Sequence, residues 1–126
     1  MTETRIRMGR AAEDLVAERL AADHWEIVER NARTRFGELD IVAMDGARLV
    51  FIEVKAGRQG ADFGPERPIL AIGPRKRRQV RRLATAWMAE RRGTIPRYAE
   101  IRFDAIGVTF DRADRVTDFE HIRAAF

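Results

Sequence analysis

The chain has no cysteine and only two histidines in 126 residues, and each shortage closes off a class of chemistry. Without cysteine there can be no disulfide, no thiolate nucleophile and no thiolate metal site. His24 and His121 lie far apart with no ligand-like spacing, so any metal would be held by oxygen. Long apolar runs are also missing: none approaches the ~20 residues that cross a bilayer. Met1 to Arg10 is polar and basic, without the apolar stretch of a signal peptide. The expectation is a cytoplasmic protein with no membrane partner. At 126 residues and 45% hydrophobic, the chain should form one domain, residues 1–126, with a core that needs no staple.

Lysine is the next scarcity. Of 24 basic residues only Lys55 and Lys76 are not arginine. Arginine neither loses its proton readily nor acts as a compact point charge, so a position that stays lysine in such a chain is a candidate for chemistry. Charge is unevenly spread as well. The net charge is +4, but residues 71–97 hold nine cations against the single acid Glu90, which makes that stretch +8 and the remainder −4. One basic face on a mildly acidic body favours a polyanionic partner, with nucleic acid foremost.

Residues 8–23 read as a helix with Ala12, Leu15, Val16 and Leu20 on one side and Asp14 and Glu18 in water. Trp25 to Asn31 reads as a strand. Gly37 to Met44 and Leu49 to Lys55 alternate around Asp45-Gly46, a turn signal, and predict a hairpin. Glycines and prolines in residues 56–68 predict a loop. Pro74 then opens a helix from about Arg75 to Arg92, striped by Val80, Leu83, Ala84, Trp87 and Met88. Strands are expected at Tyr98 to Phe110 and Val116 to Ile122, followed by an apolar tail, Ala124 to Phe126.

A turn centred on Asp45-Gly46 pairs Met44 with Ala47 and sets Asp40 opposite Phe51. Asp40, Glu53 and Lys55 then share one face, with Leu39, Ile41, Val50, Ile52 and Val54 on the other. Asp40 and Glu53 become diagonal neighbours about 7 Å apart. At an effective dielectric near 20, two carboxylates at ~7 Å repel by roughly 2 kcal/mol, which calls for a cation between them. Mg²⁺ (or Mn²⁺) suits oxygen ligands and keeps room for a substrate phosphate. Lys55 would orient or deprotonate the attacking water, or neutralise charge on the phosphorus oxygens. Glu13 lies at the margin of the first helix's apolar stripe. Two readings of it stand: an acid paired with a nearby arginine, or a fourth group of the site.

The segments Gly37-Glu38-Leu39-Asp40-Ile41-Val42-Ala43 and Leu49-Val50-Phe51-Ile52-Glu53-Val54-Lys55 closely resemble the YraN-like family of bacterial proteins, itself similar to the PD-(D/E)XK nucleases. The resemblance extends through Gly9 and Glu13, Asn31, Phe63-Gly64, Lys76, Arg102-Phe103-Asp104 and Ala125-Phe126. It implies a restriction-endonuclease-like α/β fold, a mixed sheet flanked by helices. It further implies Asp40, Glu53 and the Val54 carbonyl as metal ligands and Lys55 as catalytic lysine. Glu13 is implied as an accessory acid, as in related archaeal Holliday-junction resolvases. Leu39 stands where the superfamily has proline. Gly57 stands where the family tends to carry arginine, with Arg58 one position later as a substitute phosphate contact.

The cluster Arg75, Lys76, Arg77, Arg78, Arg81 and Arg82 packs six cations into eight residues without an acid, and a phosphate backbone would relieve their repulsion. Taken together, the expectation is a metal-dependent endonuclease acting on DNA, including branched or otherwise structured DNA. Two rivals stand beside it: a non-catalytic nucleic-acid-binding module, and a protein-interaction domain with a basic docking face. Arg102 and Asp104 read as a simple pair, Trp87 as core, neither histidine as functional, and the apolar tail as a homodimer contact.

Overall fold

The structure, a computed structural model, describes residues 3–60 and 67–126. Helix α1 (Glu3–Ala22) leads into strands β1 (Glu26–Thr34), β2 (Gly37–Asp45) and β3 (Arg48–Arg58). A 3₁₀ turn (Pro68–Ala71), helix α2 (Pro74–Glu90) and strands β4 (Glu100–Phe110) and β5 (Val116–Ile122) follow. The strands lie side by side in chain order, all antiparallel except β3 with β4. Parallel neighbours cannot be joined by a tight turn, and α2 belongs to the long connection that β3 and β4 require. This is the expected α/β mixed sheet, consistent with a restriction-endonuclease-like fold. Among the described residues, no helix is long and apolar enough to cross a membrane.

Strand alternation divides the core between two faces. Val50, Ile52 and Val54 of β3 pack with Ala12, Val16 and Leu20 of α1. Leu49 and Phe51 pack with Val80, Leu83 and Trp87 of α2. Trp87 is core, as its helical spacing indicates, and meets Phe51 edge-on with ring centroids 5.6 Å apart. Its indole N–H donates to Glu29, which Arg91 also grips through two hydrogen bonds, tying β1 to the end of α2.

Helix α1 starts earlier than its apolar spacing, because the first turns are exposed and leave no burial pattern to read. Strand β3 runs on through Arg58, since Ala56, Gly57 and Arg58 still pair with Val108, Thr109 and Phe110. The loop therefore opens later than residue 56, and Phe63-Gly64 lies outside the described residues. Gly57 and Gly107 let the 3₁₀ turn lie flat on β3 and β4. A Cβ on Gly57 would meet Pro68 Cγ at 2.7 Å, and one on Gly107 would meet the Ile69 nitrogen at 3.2 Å. An arginine at position 57 would have no room beside Pro68.

The hairpin register is corrected by two residues. Asp45 pairs with Arg48 and Met44 with Leu49, so the turn is Gly46-Ala47. Gly46 has φ +61° at the first central position, the requirement of a type II′ turn, and Asp45 stays in the strand. The apolar tail folds back on β4. The Ala125 N–H donates to the Phe103 carbonyl at 2.8 Å, and the Phe126 ring lies 5.7 Å from that of Phe103.

Candidate active site

Arg30 pairs with Ile41 and Ala32 with Leu39, which sets Asn31 opposite Asp40. Asn31 has φ +49°, in the left-handed region that asparagine tolerates better than most residues. The faces change over at this point. Arg30 reaches Asp14 on α1, whereas Ala32 packs with the α2 cluster; Ile41 packs with α1, whereas Leu39 packs with α2. Leu39 therefore does not share the face of Ile41.

The β2–β3 ladder ends at Ile41 and Ile52. Beyond it Asp40 Oδ2 accepts the Val54 N–H at 2.8 Å, so a side chain stands where a strand partner would. The corrected register, continued, places Asp40 opposite Glu53 rather than diagonal to it. Glu53 is only 5% exposed, and Lys76 of α2 brings its Nζ to 3.4 Å from Oε1. Lys55 follows two residues along β3, and its charge acts on both carboxyls. Glu13 enters from α1, half-buried and within electrostatic reach of Asp40. Its arginine neighbour Arg30 forms its ion pair with Asp14 instead. Thus Glu13, Asp40, Glu53, Lys55 and Lys76 come together from four elements.

Burial is the main influence on all three acids. It pushes Glu53 up to about 7, with the Asp40 charge adding to the rise and Lys76 and Lys55 opposing it. Glu13 also rises to about 7, through burial first and Asp40 second. Burial raises Asp40 too, against the Val54 hydrogen bond and the charges of Lys76 and Lys55.

The consequence for stability has a definite sign. Groups whose folded pKa rises from 4.5 to about 7 favour the folded state at low pH and lose that contribution as pH climbs from 4.5 through 7. In EDTA, thermal unfolding should show the protein less stable at pH 8 than at pH 5. Asp40→Asn keeps an acceptor for Val54 and removes a charge, so it should flatten the profile and gain roughly 2 kcal/mol at pH 8. A wild-type profile flat across this interval would show that the Glu13 and Glu53 carboxyls are not raised on folding.

Arg58 is held at the β4–β5 turn, donating to the Asp111 carbonyl at 2.6 Å and to Asp114 at 2.9 Å. On α2, Arg77 donates to the Ile72 carbonyl, Arg81 lies over the Phe103 ring and Arg82 over the Phe36 ring. Among the described residues, none of the guanidiniums of Arg75, Arg77, Arg78, Arg81 and Arg82 pairs with a carboxylate.

Sequence reasoning missed how much Asp104 gathers. It is fully buried and accepts from Arg102 at 2.8 and 2.9 Å, from the Ala124 N–H at 3.1 Å and contacts His121 Nε2 at 2.9 Å. Burial alone would raise its pKa, but hydrogen bonds from His121, Arg102 and Ala124 hold it below the usual range. Arg102 also reaches Asp45 at 3.1 Å. No sequence spacing signals this cluster, since His121 and Ala124 arrive from the far end of β5.

Among the described residues, no three His, Asp or Glu side chains surround one point as a ready-made metal cage. Two buried carboxylates nevertheless fit Mg²⁺ or Mn²⁺. Such ions favour oxygen ligands, and Mg²⁺ commonly binds one or two carboxylates and completes its shell with water and phosphate.

A family model described as "Uncharacterised protein family UPF0102" matches residues 12–108, a span that contains Glu13, Asp40, Glu53, Lys55 and α2. The chain belongs to UPF0102. A UPF0102 protein of Parafrankia sp. (strain EAN1pec) is 48% identical over 120 residues, covering 95% of this chain and 96% of its own length. One from Moorella thermoacetica is 42% identical over 126 residues, all of both chains. Another, from Anaeromyxobacter dehalogenans, is 44% identical over 123 residues, 97% of this chain and 85% of its own. The YraN-like resemblance therefore holds over nearly the full chain, and membership of UPF0102 assigns no reaction.

Proposed function

We propose that this UPF0102 protein is a metal-dependent endonuclease that hydrolyses phosphodiester bonds, with DNA as the foremost substrate. The observation that supports it most is the Asp40–Val54 hydrogen bond, which turns a carboxylate out of the ladder to face buried Glu53 beside Lys55. Asp40 and Glu53 would hold Mg²⁺ or Mn²⁺, which when bound polarises a phosphoryl oxygen and acidifies a water. The Val54 amide aims Asp40, and Lys76 steadies Glu53. The Lys55 ammonium orients the attacking water or offsets charge growing on the phosphoryl oxygens. Glu13, with a pKa of about 7, is able to hold or release a proton near neutrality. The exposed arginines of α2 hold the backbone phosphates.

Calorimetric titration of Mg²⁺ and Mn²⁺ into wild type and Asp40→Asn tests this reading, with cleavage followed on linear, single-stranded and four-way-junction DNA. The expected result is metal uptake lost in the variant and cleavage by wild type alone. The Lys76–Glu53 contact favours a second reading, a binding module whose site is balanced without metal. DNA binding without metal uptake or cleavage would establish that second reading and remove the first.

A further inference from the structure

Phe36 stands at the tip of the β1–β2 hairpin with 41% of its surface exposed, although it is one of the largest apolar side chains in the protein. The turn that carries it is firmly built. The buried Thr34 hydroxyl donates to the Gly37 carbonyl at 2.9 Å and accepts the Phe36 N–H at 3.1 Å. Gly37 takes φ +139°, open to glycine, and a Cβ there would touch Leu83 of α2 at 3.4 Å. Exposure of the ring is thus fixed by a packed turn rather than by slack chain. Two guanidiniums lie on that ring, Arg82 of α2 at 4.1 Å and Arg35 at 4.7 Å from its centroid. Arg82, Arg78 and Arg75 succeed one another at spacings of three and four along α2, which places them on one stripe of the helix. The ring therefore ends a cationic track.

We infer that Phe36 is a base-stacking platform and that the nucleic acid accepted by this protein carries unpaired bases along this track. The inference rests on the nucleic-acid reading above and adds which form of nucleic acid is held. A flat aromatic flanked by guanidiniums suits a base between two phosphates. Phosphates draw off Arg35 and Arg82, and the uncovered ring face takes the base. A base inside an uninterrupted duplex has both faces occupied by its neighbours and gains nothing from Phe36. Phe36 precedes Asp40 by four residues, about 13 Å of extended strand. One nucleic-acid strand can reach both.

The test measures binding in EDTA of one oligonucleotide as a single strand and as a blunt duplex, using wild type, Phe36→Ala, Phe36→Trp and Arg82→Gln. Stacking contributes about 1–3 kcal/mol per base, so Phe36→Ala should weaken single-strand binding by roughly 5–150-fold. Duplex binding should stay near wild type. Phe36→Trp should restore single-strand affinity. The salt dependence should be unchanged in Phe36→Ala and shallower by about one phosphate contact in Arg82→Gln. Circular dichroism checks that each variant is folded. Equal single-strand affinity in wild type and Phe36→Ala overturns the stacking inference and leaves the nuclease reading standing. A wild type with no affinity for either oligonucleotide overturns both.

Discussion

Lys55→Arg should lower the rate of DNA cleavage by about 10²–10⁴-fold, the span usual for a positioned acid or base. Metal uptake and DNA affinity should change little. The charge survives the substitution, so a merely electrostatic neighbour would tolerate it. Lys55 sits half-buried in a chain that otherwise uses arginine almost everywhere. What lysine adds is a compact ammonium that approaches one oxygen and can give up a proton, whereas guanidinium is broad and permanently charged. Single-turnover rates at saturating protein separate the chemical step from binding. A variant that cleaves like wild type would leave Lys55 only the role of a positive charge and remove it as a proton carrier.

Asp104→Ala should be the most damaging substitution to stability. The fully buried carboxylate neutralises Arg102 and bonds His121 and the Ala124 amide, joining β4, β5 and the folded-back tail. Its removal leaves Arg102, largely buried, with Asp45 as its one counter-charge among the described residues. Breaking a buried pair from one side typically costs about 3–5 kcal/mol. Urea unfolding would report it as a lower midpoint, and loss of tail packing would weaken the Phe126 contact with Phe103. A loss below about 1 kcal/mol would mean that the cluster adds little beyond an exposed pair.

Much of the site was legible because strand geometry has a period of two. The turn was misplaced by two residues, yet Glu53 and Lys55 stayed on the same side of β3, since an even shift preserves the faces. Asp40 was placed correctly in company and wrongly in register. Leu39 failed because the faces change over at Asp40, opposite left-handed Asn31, and no alternation pattern announces that change. Both helices and their apolar stripes follow from local spacing, and the α2 stripe emerged nearly residue for residue. The grip of Lys76 on Glu53 depends on how α2 is laid over the sheet, a tertiary fact without a local signature. The scarcity of lysine and the family resemblance both singled out Lys76, without saying what it grips. Arg58 shows the opposite case: its position beside the motif invited a role, while the β4–β5 turn claims its guanidinium.

The parting of β2 from β3 at Asp40 reaches beyond the site. Past Ile41 and Ile52 the two strands stop zipping together, and β3 continues with β4 alone. A sequence tuned only for thermal endurance would close that seam with regular pairing and an apolar residue in place of each carboxyl. The open seam also divides the sheet into a β1–β2 flap and a β3–β4–β5 plate, joined by the five pairs nearest the hairpin turn. Slow hydrogen exchange should therefore follow the plate and the turn, while amides at the mouth of the flap exchange sooner. The Asp40 and Glu53 carboxyls would then be gripped from one side by the stiffest part of the molecule and from the other by a part able to yield.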